Sequence, residues 1–218
     1  MEPGPGGTDF TALYAVLSRL FSYPLDAETL ALTAGLSLDD APTEVAAPLR
    51  AALARTQAPL AHGGDPAALI ETLNSEATRL FEGPGLPMAP PFGSFYLNGR
   101  QLMGREAMAV RCAYLAARLL PVHDGRVPAD HLAVELGFMA ALERGSRMAC
   151  EAARDFVARH LLTWVPTWRA DVLAAAPHPF FAGLVTLTQA VLEADLASLD
   201  HVIPEFALER MSAVGDGQ

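Results

Sequence analysis

The sequence predicts an all-α fold: one bundle-like domain of roughly eight to ten helices. Three observations predict it. Apolar residues recur at helical spacing through most of the chain. No stretch alternates apolar and polar residues with a period of two. Proline and glycine cut the chain into helix-sized lengths. With 218 residues, 51% hydrophobic and 18% charged, the chain can bury a sizeable core as one domain and does not have the composition of a disordered protein.

Residues 1–7, MEPGPGG, read as a disordered lead, without the basic and apolar regions of a signal peptide. Residues 8–203 read as the helical domain, and 204–218 as a frayed tail. Thr8 or Asp9 can cap a first helix whose inward face is Phe10, Leu13, Tyr14, Leu17, Leu20 and Phe21, and Pro24 stops it. Asp26 opens a short helix closed by Gly35 as a C′ glycine. From Leu36 to Gly64 the pattern is Ala-rich and broken by Pro42, Pro48 and Pro59. Asp65-Pro66 is a clear start, a capping carboxylate followed by proline at the first helical position. Ile70, Leu73, Ala77, Leu80 and Phe81 form that helix's buried face.

Gly104 to Leu120 is helical by pattern and ends at Pro121; VHDGRVPA follows as a polar loop. Asp130 can cap an apolar helix running to about Arg144. A further helix carries Met148, Phe156, Val157 and Leu161, and ends near Trp164 because Val165 precedes Pro166. Trp168 to Ala176 forms a short helix. The last runs from Phe180 to about Leu199, with Leu184, Leu187, Val191 and Leu192 inward.

Formal net charge is −10, and all fifteen basic residues are arginine. A deficit of positive charge disfavours nucleic acid or an anionic membrane surface as partner. The apolar runs are short and interrupted, so no membrane span is visible, and the chain reads as cytoplasmic. Cys112 and Cys150 form no metal-type pair, and both are expected to pack as buried thiols.

Two stretches stand out. LFEGPGLPMAPPFGSFY, from Leu80 to Tyr96, has Gly or Pro at seven of the twelve positions from Glu82 to Gly93, which excludes helix and central strand. It is nonetheless apolar and aromatic, so it is either a cap on the core or a pre-shaped wall for a ligand. The second is Pro128-Ala129-Asp130-His131, with Glu135 one turn later on the face of His131. It fits a capped helix start, an incomplete metal site, or a polar rim able to hold a guanidinium. His160, Trp164 and Trp168 read as buried aromatic packing or as a ligand-binding ridge.

Together these stretches resemble the two signature segments of the TorD/DmsD family of cytoplasmic molybdoenzyme maturation chaperones. The first pattern falls on Phe81, Gly83, Pro90, Pro91, Phe92, Ser94 and Tyr96. The second falls on Pro128, Asp130, His131, Leu132, Glu135, Leu136, Phe138 and Met139. A weaker match reaches His160, Trp164, Pro166 and Pro179-Phe180. Many members carry tryptophan where Phe92 stands and a second glutamate where Gly137 stands. The resemblance implies a non-enzymatic protein that binds the twin-arginine signal peptide of an apo-molybdoenzyme catalytic subunit and holds it until the cofactor is inserted. It implies signal-peptide binding at Phe81, Gly83, Pro90, Pro91, Phe92, Ser94, Tyr96, Pro128, Asp130, His131 and Glu135, with no catalytic residue and no metal. No cofactor is expected; contact with molybdopterin or a guanine nucleotide is not readable from the residues. A homodimer is compatible with the resemblance. The alternatives are a metal- or His/Asp-dependent hydrolase centred on Asp130, His131 and Glu135, and a purely structural helical adaptor.

Overall fold

The computed structural model describes residues 10–38, 43–61, 64–83, 85, 87–121, 127–142 and 144–215, with backbone alone at 43–46 and 205–215. The expected disordered lead, the caps Thr8 and Asp9, and most of the polar loop before Pro128 lie outside these residues.

The first helix, α1 (Thr11–Leu20), buries the face its spacing predicts, with Phe10 and Phe21 extending it at either end. Next, α2 (Ala27–Ala34) starts where Asp26 Oδ1 accepts the Thr29 N–H at 2.7 Å. Gly35 closes it at φ −86°, in the right-handed region and not as the expected left-handed C′ residue. The Ala-rich stretch is more regular than expected: α3 (Thr43–Gln57) runs through Pro48. Proline inside a helix costs about 3 kcal/mol. Here the helix is held by Leu49, Ala52 and Leu53, all buried, and by extensive packing on the last helix. A start at Asp65-Pro66 gives α4 (Pro66–Ala77), whose end widens into a π-turn, Thr78–Glu82.

The remaining helices are α5 (Gly93–Leu97), α6 (Arg105–Ala116), α7 (Leu132–Ala141), α8 (Arg147–Phe156), α9 (Leu162–Ala174) and α10 (Pro179–Gly215). A second π-turn, Val157–Leu161, joins α8 to α9 without a break. The stop expected at Trp164 is therefore absent, and the chain stays helical through Pro166. Trp164, Val165, Trp168 and Val172 are all buried, and that burial holds the helix across the hydrogen bond Pro166 cannot donate. α10 runs through Pro204 to Gly215. Beyond Pro204 the sequence FALERM is rich in strong helix formers. Cys150 is buried, but Cys112 is exposed on α6; both are free thiols.

Among the described residues there is no strand, and an isolated antiparallel bridge joins Phe92 and His131. α1 lies along α7, while α10 forms the central rod against α3, α8 and α9. α10 and α3 meet at Gly183, where a Cβ would fall 2.6 Å from the Thr56 backbone nitrogen. Only glycine permits that approach. The stretch Pro179–Pro204 is long and apolar enough to cross a bilayer, but 61% of its most apolar window is buried in the protein, as befits a core helix.

Candidate functional site: a groove and a buried acid pocket

The Gly/Pro stretch is fixed at both ends. At its start, the π-turn closes with the Gly83 N–H donating to the Thr78 carbonyl at 2.6 Å, and Gly83 takes φ 49°. The turn delivers Phe81 into an aromatic nest, stacked on Tyr23 at 5.6 Å and in contact with Phe21, Trp168 and Phe181. Further on, the Ala89 N–H donates to the Leu80 carbonyl at 2.8 Å, and the Trp168 Nε1–H donates to the Ala89 carbonyl at 3.1 Å. Gly93 then passes over Trp164 so closely that a Cβ would lie 3.0 Å from its Nε1. Tyr96 stacks on the same tryptophan at 5.8 Å.

The second segment locks onto the first. The Leu132 N–H donates to the Pro91 carbonyl at 2.9 Å, the Gly93 N–H to the Asp130 carbonyl at 3.0 Å, and the Ser94 N–H to Asp130 Oδ2 at 2.6 Å. The Phe92 and His131 rings meet edge to face at 4.8 Å. Asp130 was expected to cap α7. His131 takes that place, its Nδ1 accepting the Ala133 N–H at 3.1 Å, while Asp130 satisfies the first turn of α5. A fully buried carboxylate is stabilised by such N–H donors, and α5 has no cap of its own. Asp130 is thus a structural tie as well as a candidate ligand-binding residue.

The joined segments form a partition with a cavity on each side. On one side runs an open groove of two lobes. The aromatic lobe, about 620 Å³, is lined by Phe81, Pro90, Pro91, Phe92, Phe95 and Pro128. The aliphatic lobe, about 660 Å³, lies between α1 and α7 and is lined by Phe21, Leu119, Leu120, Val134, Gly137 and Phe138. Tyr23, Glu82, Val127 and His131 line both lobes, so the two adjoin. Of the residues the sequence singles out, Phe81, Pro90, Pro91, Phe92, Pro128 and His131 come together here. Gly83, Ser94, Tyr96, Asp130 and Glu135 line neither lobe. The whole aliphatic lobe escaped the sequence reading, because its walls read as ordinary core positions of α1 and α7. Glu82 and Tyr23 were also missed, although Glu82 sits inside the quoted motif. Gly137, where many family members have glutamate, faces Ser18 of α1 at 3.1 Å from a would-be Cβ, so its smallness lets α7 approach α1.

On the other side lies a smaller pocket of about 220 Å³, lined by Asp130, Glu135, Trp164 and Gly93, with Arg105, Glu106, Arg159 and His160 around it. Glu135 is fully buried there, and neither of its oxygens has a hydrogen-bond partner. Trp164 Nε1 lies close by without completing a bond to it. Burial first, and the Asp130 charge second, push the Glu135 carboxyl well above its ordinary range. Burial pushes His131 the other way, down to about 4 against the opposing pull of Asp130, so its ring is neutral and Nδ1 is free to accept.

The Glu135 shift gives a stability slope. Above its unfolded value near 4.5 the folded protein keeps a proton that the unfolded chain has released, so stability falls as pH rises toward the folded value. Glu135→Gln, a neutral isostere, removes that slope. Its urea midpoint should drop less than the wild-type midpoint between about pH 5 and pH 8. His131 contributes the opposite slope below its ordinary 6.5 in both proteins, so the difference isolates Glu135. Parallel pH profiles would show that Glu135 ionises without cost.

Comparison with known proteins places this architecture. The family model described as nitrate reductase delta subunit matches residues 37–170, a span that includes both joined segments. The chain is 31% identical over 192 residues to the Tat proofreading chaperone DmsD of Salmonella typhi, covering 84% of this chain and 87% of that one. The chain belongs to the TorD/DmsD family. Members of that family with more partial matches include the chaperone protein TorD of Vibrio cholerae serotype O1 (strain ATCC 39541 / Classical Ogawa 395 / O395), 29% identical over 132 residues, 54% of this chain and 57% of the relative. The perchlorate reductase assembly chaperone protein of Dechloromonas aromatica (strain RCB) is 36% identical over 80 residues, 32% of this chain and 36% of the relative. The chain thus spans about half the length of the TorD relatives it matches.

Proposed function

We propose that this member of the TorD/DmsD family is a cytoplasmic chaperone that binds the twin-arginine leader and apo-form of a molybdenum-containing oxidoreductase before export. The observation that carries this reading is the pair of adjoining lobes, with apolar walls and a carboxylate shared by both. A leader of this kind joins a basic segment to an apolar one, and the groove offers both complements. The names of the relatives, chaperones for reductase assembly and Tat proofreading among them, support it. Binding is all the residues need to do. The hydrolase alternative is not favoured, since the relatives are named as chaperones.

Isothermal titration with a synthetic twin-arginine leader tests the reading. Each CH₂ removed from the apolar segment should cost about 0.8 kcal/mol, roughly fourfold in Kd. Phe92→Ala, at a half-buried position on the aromatic lobe, should mimic that loss without unfolding the protein. Affinity indifferent both to leader truncation and to Phe92→Ala would make the Gly/Pro stretch a core cap only, as in the adaptor alternative.

A further inference from the structure

Resting on the leader-binding reading above, we infer that Glu82, backed by the Tyr23 ring, is the residue that reads the leader's arginines. The partition decides this. Asp130 and Glu135, the acids a sequence reading favours, are fully buried and line the small pocket behind the joined segments, not the groove. Glu82 is exposed and lines both lobes of the groove. It is the only carboxylate among the described residues of either lobe. No described cation pairs with it: Arg100, the one arginine among the described residues of the aromatic lobe, lies over the Phe95 ring at 5.6 Å. His131, which also lines both lobes, is neutral.

Tyr23 completes the corner. One face of its ring stacks on Phe81, nearly parallel at 12°, and the side chain lines both lobes beside Glu82. The Glu82 charge is near enough to add to the effect of burial on the Tyr23 hydroxyl. A planar guanidinium can lie against an aromatic ring while it forks onto a carboxylate; an ammonium group cannot make the planar, two-pronged contact. Apolar walls reduce the water that would otherwise screen such a pair. The place where the lobes adjoin is therefore an arginine-selective corner, and the apolar part of the leader extends from it along either lobe.

The test compares two synthetic leaders, one with its paired arginines and one with lysines in their place, by isothermal titration at low and moderate salt. Wild type should prefer the arginine leader by about tenfold, with the preference shrinking as salt rises. Glu82→Gln should weaken both leaders, the arginine leader more, so that their affinities converge. Glu71→Gln, an exposed acid on α4 outside the groove, should change neither and so controls for net charge. Circular dichroism confirms that each variant is folded. Loss of the preference in Glu135→Gln with its retention in Glu82→Gln would overturn the inference by placing the arginines in the buried pocket. Equal affinity of wild type for both leaders would overturn it too, while leaving groove binding intact. Failure of wild type to bind either leader would instead overturn the leader-binding reading itself.

Discussion

Trp168→Ala should destabilise the protein by about 3–5 kcal/mol. The indole is fully buried, packs edge to face on Phe21 at 5.4 Å and on Trp164 at 6.1 Å, and touches Phe81. Its Nε1–H is also the donor that holds Ala89, in the middle of the Gly/Pro stretch, to the core. Truncation leaves a large cavity and frees the Ala89 carbonyl. For a domain whose total stability is on the order of 5–15 kcal/mol, the alanine variant could fail to fold at all, so Trp168→Phe belongs in the same urea series. Phenylalanine keeps most of the packing and loses the hydrogen bond. That variant should lose substantially less stability than Trp168→Ala, and it should still loosen the stretch from Pro87 to Phe92, read as faster amide exchange there. A Trp168→Ala protein with near wild-type stability would mean that the aromatic nest is not the anchor of the groove wall.

Asp195→Ala should cost a comparable amount, about 3–5 kcal/mol, by breaking a buried ion pair from one side. The Asp195 carboxylate sits on α10, with its side chain 1% exposed. It receives both terminal nitrogens of Arg144, at 2.5 and 3.0 Å, and the Tyr14 hydroxyl of α1 at 2.7 Å. Arg144 also lies over the Tyr14 ring at 5.6 Å. Three parts of the chain thus meet on one carboxylate: α1, the segment after α7, and α10. Removing the acid strands a guanidinium that is only 16% exposed and takes away the acceptor of the buried Tyr14 hydroxyl. Removing both charges together, as Asp195→Leu with Arg144→Met, should recover much of the loss. Tyr14→Phe should cost less, about 1.5–3 kcal/mol for a hydrogen bond to a charged group. Denaturant titration of wild type, Asp195→Leu, Arg144→Met and the double variant gives the cycle. Additive losses in the double variant would show that the pair is not coupled in the fold.

Much of the fold was legible because it depends on local periodicity. The face of α1, the Asp26 and Asp65 helix starts and the inward side of α4 follow from spacing and capping chemistry that need no distant partner. What failed were stops inferred from single prolines. Pro48 and Pro166 carry a cost set locally, but the packing that offsets it is supplied by α10 and by the aromatic core far along the chain. Cys112 illustrates the same limit from the other side. An Ala-rich helical pattern does not say which face is covered, and the structure leaves Cys112 outside.

By itself the sequence determined the helical class, the acidic surface and the pair of segments that carry the family resemblance. It also brought His131 and Glu135 within one helical turn of each other, since that follows from their i, i+4 spacing. Only the tertiary structure decided which acid meets solvent. Asp130 is drawn inward by the Ser94 N–H, thirty-six residues away in the chain. Glu135 is covered by Trp164 from α9, while Glu82 is turned outward by a π-turn whose extra residue rotates the end of α4. Helical spacing fixes the direction of a side chain relative to its own helix. Whether that direction ends in water or in a neighbour depends on elements tens of residues away, and no local pattern carries that information.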